Sequence, residues 1–319
     1  MKYRAFIVFV LTIFFSCKPS KEVKPGSSGK INQLLVVMPN ADWKGAPGDS
    51  VRKYFAAEVQ VLPQREPLFT LNQLAPEVFD RKFFTIRNIL ILQEGDTSGV
   101  KVIRNKYAEP QLIVVVQGRD KNETLKLLSQ KADSIIRIFK KHEKDFIITR
   151  RKKDFIDDKQ IQKELGISIK IPVEYALITH QDGFFWFRED LPFGSKNILL
   201  YRVRGKNIDS IAENIVKIRD SIGKKYIPGP LENTYVVTEK IFSPVQKRVK
   251  FNNIEAIESR GLWEMHNDFM AGPYLNYVYY HPKRNHVIVT EGFIYLPSEN
   301  KRNMLLELEA ILQSARLVD

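Results

Sequence analysis

Two stretches, INQLLVVM at 31–38 and QLIVVVQ at 111–117, are apolar without the every-other-residue alternation of a half-exposed strand. Such strands are buried on both faces, and that requires helices packed over a sheet. A suitable helix follows directly. In QGRDKNETLKLLSQKADSIIRIFKKH, residues Leu125, Leu128, Ala132, Ile135 and Phe139 recur at spacings of three and four, the period of one helix face. Asp120 and Glu123 stand at its start with capping-box spacing. RNILILQ at 87–93 supplies another strand and VRKYFAAEV at 51–59 another helix. Between strand and helix, PNADWKGAPGDS reads as a turn-rich loop, with Asp49 or Ser50 as an ordinary N-cap.

From about residue 151 the pattern changes. After a short helix, DDKQIQKELG, come strand segments GISIKIPVEYALITH and GFFWFRED, joined at Gln181-Asp182-Gly183, a turn signal. In GFFWFRED, Phe184 and Trp186 point one way and Phe185 and Phe187 the other, so this strand too is buried on both faces. NILLYRV leads into a helix over NIDSIAENIVKIRDSIG, with Ile208, Ile211, Ile215, Ile218 and Ile222 on one stripe and Gly223 as its stop. Antiparallel strands follow in YVVTEKIF, QKRVKF, NNIEAIESRGLWEM, PYLNYVYYH and NHVIVTEGFIYL, and SENKRNMLLELEAILQSARL closes as a helix. Hairpins carrying helices make the class α+β. Two subdomains are expected, 31–150 and 151–319, each a mixed or mostly antiparallel sheet packed by helices.

The only cysteine, Cys17, sits directly behind a short apolar run, Ala5–Phe15, preceded by Lys2 and Arg4. A membrane-spanning helix needs about 20 apolar residues, so the run reads as a secretory signal over 1–16. Phe14-Phe15-Ser16-Cys17 resembles a bacterial lipobox, which makes Cys17 the expected lipidated first residue of the mature chain. Residues 17–30 are rich in Lys, Pro, Ser and Gly and read as a flexible tether, reaching at most about 45 Å. A chain of this length can bury enough apolar surface to do without disulfides. After Cys17 the sequence lacks the acidic run that resembles the surface-export signal of Bacteroidota lipoproteins, so the body is expected to face the periplasm.

The formal charge is +13, and it stays strongly positive without Lys2 and Arg4. The densest basic run is Arg137–Lys153, read as a solvated helix face or as a contact for anionic lipid or glycan. No nucleic-acid motif is present. His281 and His286 flank a Pro-Lys-Arg-Asn turn, but zinc needs three or four ligands, and no metal or cofactor is expected. The candidate partner-binding residues share one loop: Trp263, His266, Asp268, Phe269 and Met270. Packing of Phe269 and Met270 into the core is the competing reading.

The segment GLWEMHNDFMAGPYLNYVYYHPKRNHVIVTEGFIYLPSENKRNMLLELEAILQSARL, together with the lipobox, resembles a lipoprotein family of the Bacteroidota built on domain of unknown function 4837. The likeness extends over essentially the mature chain and implies an envelope address without catalytic residues. More weakly, ISIKIPVEY, a mid-domain helix and the terminal ILQSARL are similar to PsbP-like α/β/α sandwiches, which mostly serve in binding or assembly. The leading expectation is therefore a non-enzymatic envelope module, anchored to a membrane by its N-terminal lipid, with an envelope protein, anionic lipid or glycan as partner. The alternative is an envelope hydrolase or glycan-acting enzyme whose groups converge from distant segments.

Overall fold

A computed structural model describes residues 23–150 and 154–319. The apolar run and Cys17 lie outside the described residues. The first part of the chain forms a five-stranded sheet from β1 (Gln33–Val37), β2 (Thr70–Leu74), β3 (Asn88–Glu94), β4 (Gly99–Arg104) and β5 (Leu112–Gly118), in the order β2-β1-β3-β5-β4. All neighbours are parallel except β4, which runs antiparallel to β5. Helices α1 (Asn40–Lys44), α2 (Ala46–Phe55) and α3 (Lys121–Thr149) belong to this part. Leu34, Val36, Leu90 and Val114 meet Phe55 and Leu128 on the helical face. The opposite face, with Leu35, Val37, Ile89 and Ile113, is covered by loop residues including Phe79, Phe83 and Tyr107.

Three expectations need correction here. The stretch read as a loop is mostly helical. Gly48 lies so close to α1 that a Cβ there would stand 2.0 Å from the Trp43 carbonyl oxygen, and Asp49 lies inside the first turn of α2, whose N-cap is Gly45. Asp120 does cap α3, accepting from the Glu123 amide at 2.8 Å. Glu123, however, turns back to the Arg119 amide rather than to Asp120. Finally, residues 25–30 are not tether. Ser27 donates to the Glu109 carbonyl and Ser28 to that of Thr85, while the Pro25 carbonyl accepts from Glu109. The reason is Arg87: its guanidinium donates to the carbonyls of Gly29 and Lys30, both at 3.0 Å, and pairs with the fully buried Glu143 at 3.0 Å. Those bonds offset the entropy of ordering a segment that has no apolar side chains to bury.

The second part comprises α4 (Lys159–Leu165), β6 (Ile167–Ser168), β7 (Ala176–Gln181), β8 (Phe184–Leu191), β9 (Gly194–Val203), α5 (Ile208–Glu213), α6 (Ile215–Tyr226), β10 (Tyr235–Thr238), β11 (Val245–Phe251), β12 (Ile254–His266), β13 (Ala271–His281), β14 (His286–Tyr295), α7 (Arg302–Leu312) and β15 (Arg316–Leu317). Eight strands make one antiparallel sheet, β10-β12-β13-β14-β9-β8-β7, with β11 beside β10 on the outer edge of β12. Phe185, Phe187 and Leu200 pack under Leu165 of α4 and Leu308 of α7. Phe184, Trp186 and Tyr201 pack under Ile215 and Tyr226 of α6 on the other face. The alternating aromatics thus serve both cores, and the class is α+β. The isoleucine stripe is interrupted at Asn214, between α5 and α6, and α6 runs through Gly223 to Tyr226. Gly223 is a close approach rather than a stop, since a Cβ there would stand 1.9 Å from the Val236 carbonyl oxygen.

The two sheets meet through α3 and α7. Ile147 packs on Leu306 and Ala310, and Lys144 pairs with Glu309 at 2.7 Å. Glu66, buried in the first part, accepts from the amides of Lys301 (2.6 Å) and Arg302 (3.1 Å). A carboxylate from one half therefore caps the α7 N-terminus in the other, where the helix dipole favours negative charge.

Candidate ligand-binding groove

A groove of about 1280 Å³ runs between α3, α7 and β11. Its floor is a polar network drawn from both halves. Lys144 Nζ donates to Glu309 Oε1 and Gln313 Oε1, both at 2.7 Å. Arg260 donates to Glu309 at 2.6 Å and to Glu258 at 2.7 Å, and the Tyr277 hydroxyl donates to Glu258 at 2.8 Å. Burial pushes the Glu309 carboxyl up, but Lys144 and Arg260 outweigh it and hold the group well below the usual carboxylate range. Glu258 shows the same balance, burial against the Arg260 guanidinium, and is also lowered. Both acids are therefore ionised, and both are engaged by the floor.

The rim is different. Arg137 and Lys141 project from α3, Lys247 and Lys250 from β11, Lys170 from the segment after β6 and Arg316 from β15. Arg137 is exposed and, among the described residues, hydrogen-bonds only to the Ser134 hydroxyl, at 2.9 Å. Lys250 lies 3.9 Å from Glu255, both well exposed, an arrangement of little energetic worth. Lys140 is not part of this set. It is pushed down to about 7 by burial, donates to Asn32 Oδ1 and the Leu68 carbonyl at 2.7 Å, and lies 4.4 Å from the centre of the Phe69 ring. Asp145 also lines the groove and pairs with Lys141 at 2.6 Å, and Lys247 reaches Glu258 at 3.1 Å. Bases nevertheless outnumber acids in the lining and both lysines stay well exposed, so the groove offers an anion a cationic rim.

The loop singled out by sequence lies elsewhere, at the tip of the β12–β13 hairpin. Trp263 is a core residue: it is 1 % exposed, donates to the Ile294 carbonyl at 3.0 Å and meets Phe293 edge-on. It contacts the interior, so it drops out of the candidate contact set. Its position on β12 opposite Gly272 turns the ring inward. Met270 is half-buried against the same core. His266 is exposed and lies against the Tyr235 ring at 4.6 Å. Asp268 accepts from the Phe269 amide at 2.7 Å, and the Phe269 ring is fully exposed. The structure brings His266 and Asp268 onto one tip without a hydrogen bond between them.

His180 meets Glu164 at 2.7 Å and stacks on Phe185 at 4.2 Å. Neither His180 nor His266 lines the groove. The rings of His281 and His286 lie 5.9 Å apart across their turn, with His281 Nε2 2.9 Å from the carbonyl oxygens of Gly166 and Val318. Among the described residues no group of three or more His, Cys, Asp or Glu is placed to hold a metal ion. The groove itself escaped the sequence reading because its walls, α3, β11 and α7, come from three segments far apart in the chain. Its one visible trace was the basic run beginning at Arg137.

Residues 153–314 match the family described as domain of unknown function (DUF4837), and residues 27–152 match a second, domain of unknown function (DUF8532). The expected likeness to the first family across the mature chain is thus confined to the second part. Comparison with curated proteins gives no match. Among solved structures, LpqN, involved in cell envelope biogenesis of Mycobacterium tuberculosis, is 12% identical with a TM-score of 0.30, covering 48% of this chain and 83% of its own. Human STARD10 is 8% identical with a TM-score of 0.25, covering 50% of this chain and 80% of its own. The DUF4837 match spans just over half of the chain, the part that carries β11, Arg260 of β12 and Glu309 of α7, and the chain belongs to that family.

Proposed function

We propose that the protein is a non-enzymatic binding module of the bacterial cell envelope, whose basic groove between α3, α7 and β11 holds an anionic ligand. The observation that carries this reading is the division of charge: Glu258 and Glu309 are engaged by Arg260 and Lys144 on the floor, Asp145 by Lys141, and Arg137, Lys170, Lys250 and Arg316 add further positive charge along the groove. The signal and Cys17 support a lipid anchor with the body in the periplasm. No helix among the described residues is long and apolar enough to cross a membrane.

Two measurements test the reading. Titration of the purified body with a sulfated oligosaccharide at 50 and 300 mM salt is expected to give binding that weakens with salt. The double variant Arg137→Glu, Lys141→Glu should abolish it without unfolding. Undiminished binding by that variant would sink the groove assignment. In cells, Cys17→Ala should lose labelling by a fatty-acid analogue, and protease added outside intact cells should leave the native protein uncut.

A further inference from the structure

β11 is an edge strand with one side unused. It pairs with β12 from Val245↔Arg260 to Phe251↔Ile254, and the two-residue turn Asn252-Asn253 has φ of 47° and 65°. Such a turn closes on a hydrogen-bonded pair. Phe251, Val249, Lys247 and Val245 therefore direct their backbone groups to β12, and Lys250, Arg248 and Gln246 direct theirs outward. Among the described residues no hydrogen bond reaches those outward backbone groups. Val245 and residues 247–251 of this strand line the cationic groove, while the Gln246 side chain donates to the Ala212 carbonyl of α5 at 2.8 Å. The strand reads VQKRVKF, with three basic residues and no acid. Lys247 meets Glu258 at 3.1 Å, Arg248 meets Asp209 of α5 and Lys250 lies 3.9 Å from Glu255. All three basic side chains remain largely exposed, so these pairs can exchange for an incoming acid. At its start the chain exposes a cluster of apolar side chains: Ile241 is 82% exposed, Phe242 64% and Val245 46%.

We infer that β11 accepts an extended acidic segment of another polypeptide as an added strand. This rests on the anionic-groove reading and names its ligand class. Backbone bonds to Gln246, Arg248 and Lys250 would supply the pairing, the basic side chains would select acids, and Ile241 and Phe242 would receive an apolar residue at one end. A second copy of this chain is disfavoured as the occupant. Two strands of this composition repel, which is the usual protection of an exposed edge. A glycan has charge for the rim but no row of amides and carbonyls for the edge.

The test uses the mature protein and four probes: a ten-residue peptide alternating Glu and Val, the same peptide N-methylated at alternate residues, a sulfated oligosaccharide, and phosphatidylglycerol vesicles. The peptide is expected to bind and to protect the amides of Gln246, Arg248 and Lys250 from hydrogen exchange. Methylation should weaken binding about tenfold to a hundredfold through lost backbone bonds, with charge unchanged. Gln246→Pro should weaken it similarly; because proline there can disturb the strand, Arg248→Glu serves as the second variant, expected to weaken binding while keeping the backbone edge. Equal binding of the methylated peptide, or binding without protection of those amides, overturns strand addition and leaves the anionic groove standing. Binding of the oligosaccharide or the vesicles but not the peptide does the same. Binding of none of the four overturns both readings.

Discussion

Replacing Glu309 by alanine removes the carboxylate that joins the two halves at the groove floor. In the native protein it accepts from Lys144 at 2.7 Å and Arg260 at 2.6 Å, and the three side chains are 14%, 18% and 17% exposed. Breaking a buried pair by deleting one partner costs about 3–5 kcal/mol. Here the loss belongs at the lower end, about 3 kcal/mol, since Lys144 keeps Gln313 and Arg260 keeps Glu258. Glu309→Gln keeps the volume and one acceptor and should cost about 1–2 kcal/mol. Urea unfolding followed by circular dichroism measures both, with Lys141→Ala as a control whose exposed pair with Asp145 should contribute nothing measurable. The native carboxyl titrates below its ordinary 4.5, so its contribution is complete above that pH and is lost as pH falls through the folded value. The same substitution makes the groove more positive. At about 10 Å and low salt, one charge alters polyanion affinity about two- to fourfold, upward in this case. A folded Glu309→Ala protein that loses less than about 1 kcal/mol, or that binds a polyanion more weakly, would refute the charge division on which the functional reading stands.

Trp263→Ala should cost about 3–5 kcal/mol, because the ring is 1% exposed, whereas Phe269→Ala should leave the melting temperature unchanged; equal effects would place both residues in the same environment and contradict the structure. His142 is held down to about 4, first by burial and then by Arg104 and Arg87. Its sign is that of a depressed base: the unfolded chain takes up the proton first, so stability is full above pH 6.5 and falls toward pH 4. His142→Gln should flatten the urea midpoint across that window, and an unchanged slope would show the imidazole to be solvated.

The sequence exposed those features of the fold that are carried by side-chain periodicity. Leu34–Val37 and Leu112–Val116 are β1 and β5 at the heart of the first sheet, and the Phe184–Phe187 alternation feeds two cores as read. Periodicity reports which faces are buried but not what lies beside them. TLNQL of β2 and GVKVIR of β4 are edge strands whose side chains are half-buried or exposed and none fully buried, so neither carries an unbroken apolar run. Gly223 and Gly48 look like punctuation in a sequence, but each instead accommodates a backbone approaching from elsewhere. Composition misled at residues 25–30, where polarity suggests solvation. A buried Arg87 some sixty residues onward supplies the donors that order this segment. Trp263 illustrates the converse. Its neighbours His266, Asp268 and Phe269 are tip residues, yet strand register alone sends its ring inward.

Ordering of residues 25–30 changes what an anchor would permit. A free chain from Cys17 to the sheet reaches about 45 Å if it runs to Lys30, but only about 28 Å if it ends at Pro25, where the backbone is bonded to Glu109. A folded body of this size is about 50 Å across. With the proposed lipid on Cys17, that leash would be shorter than the body and would keep it against the membrane. The bond between Pro25 and Glu109 sets that length, and Arg87 holds the residues that follow, bonding Gly29 and Lys30 from one side and Glu143 of α3 from the other. The same helix carries Arg137 and Lys141 along the groove rim. The segment held by Arg87 and the groove rim thus share α3, and with the proposed anchor a ligand would approach within about a body diameter of the bilayer. A membrane-proximal acidic segment of another envelope protein meets that condition, and it has the backbone that the edge of β11 can use.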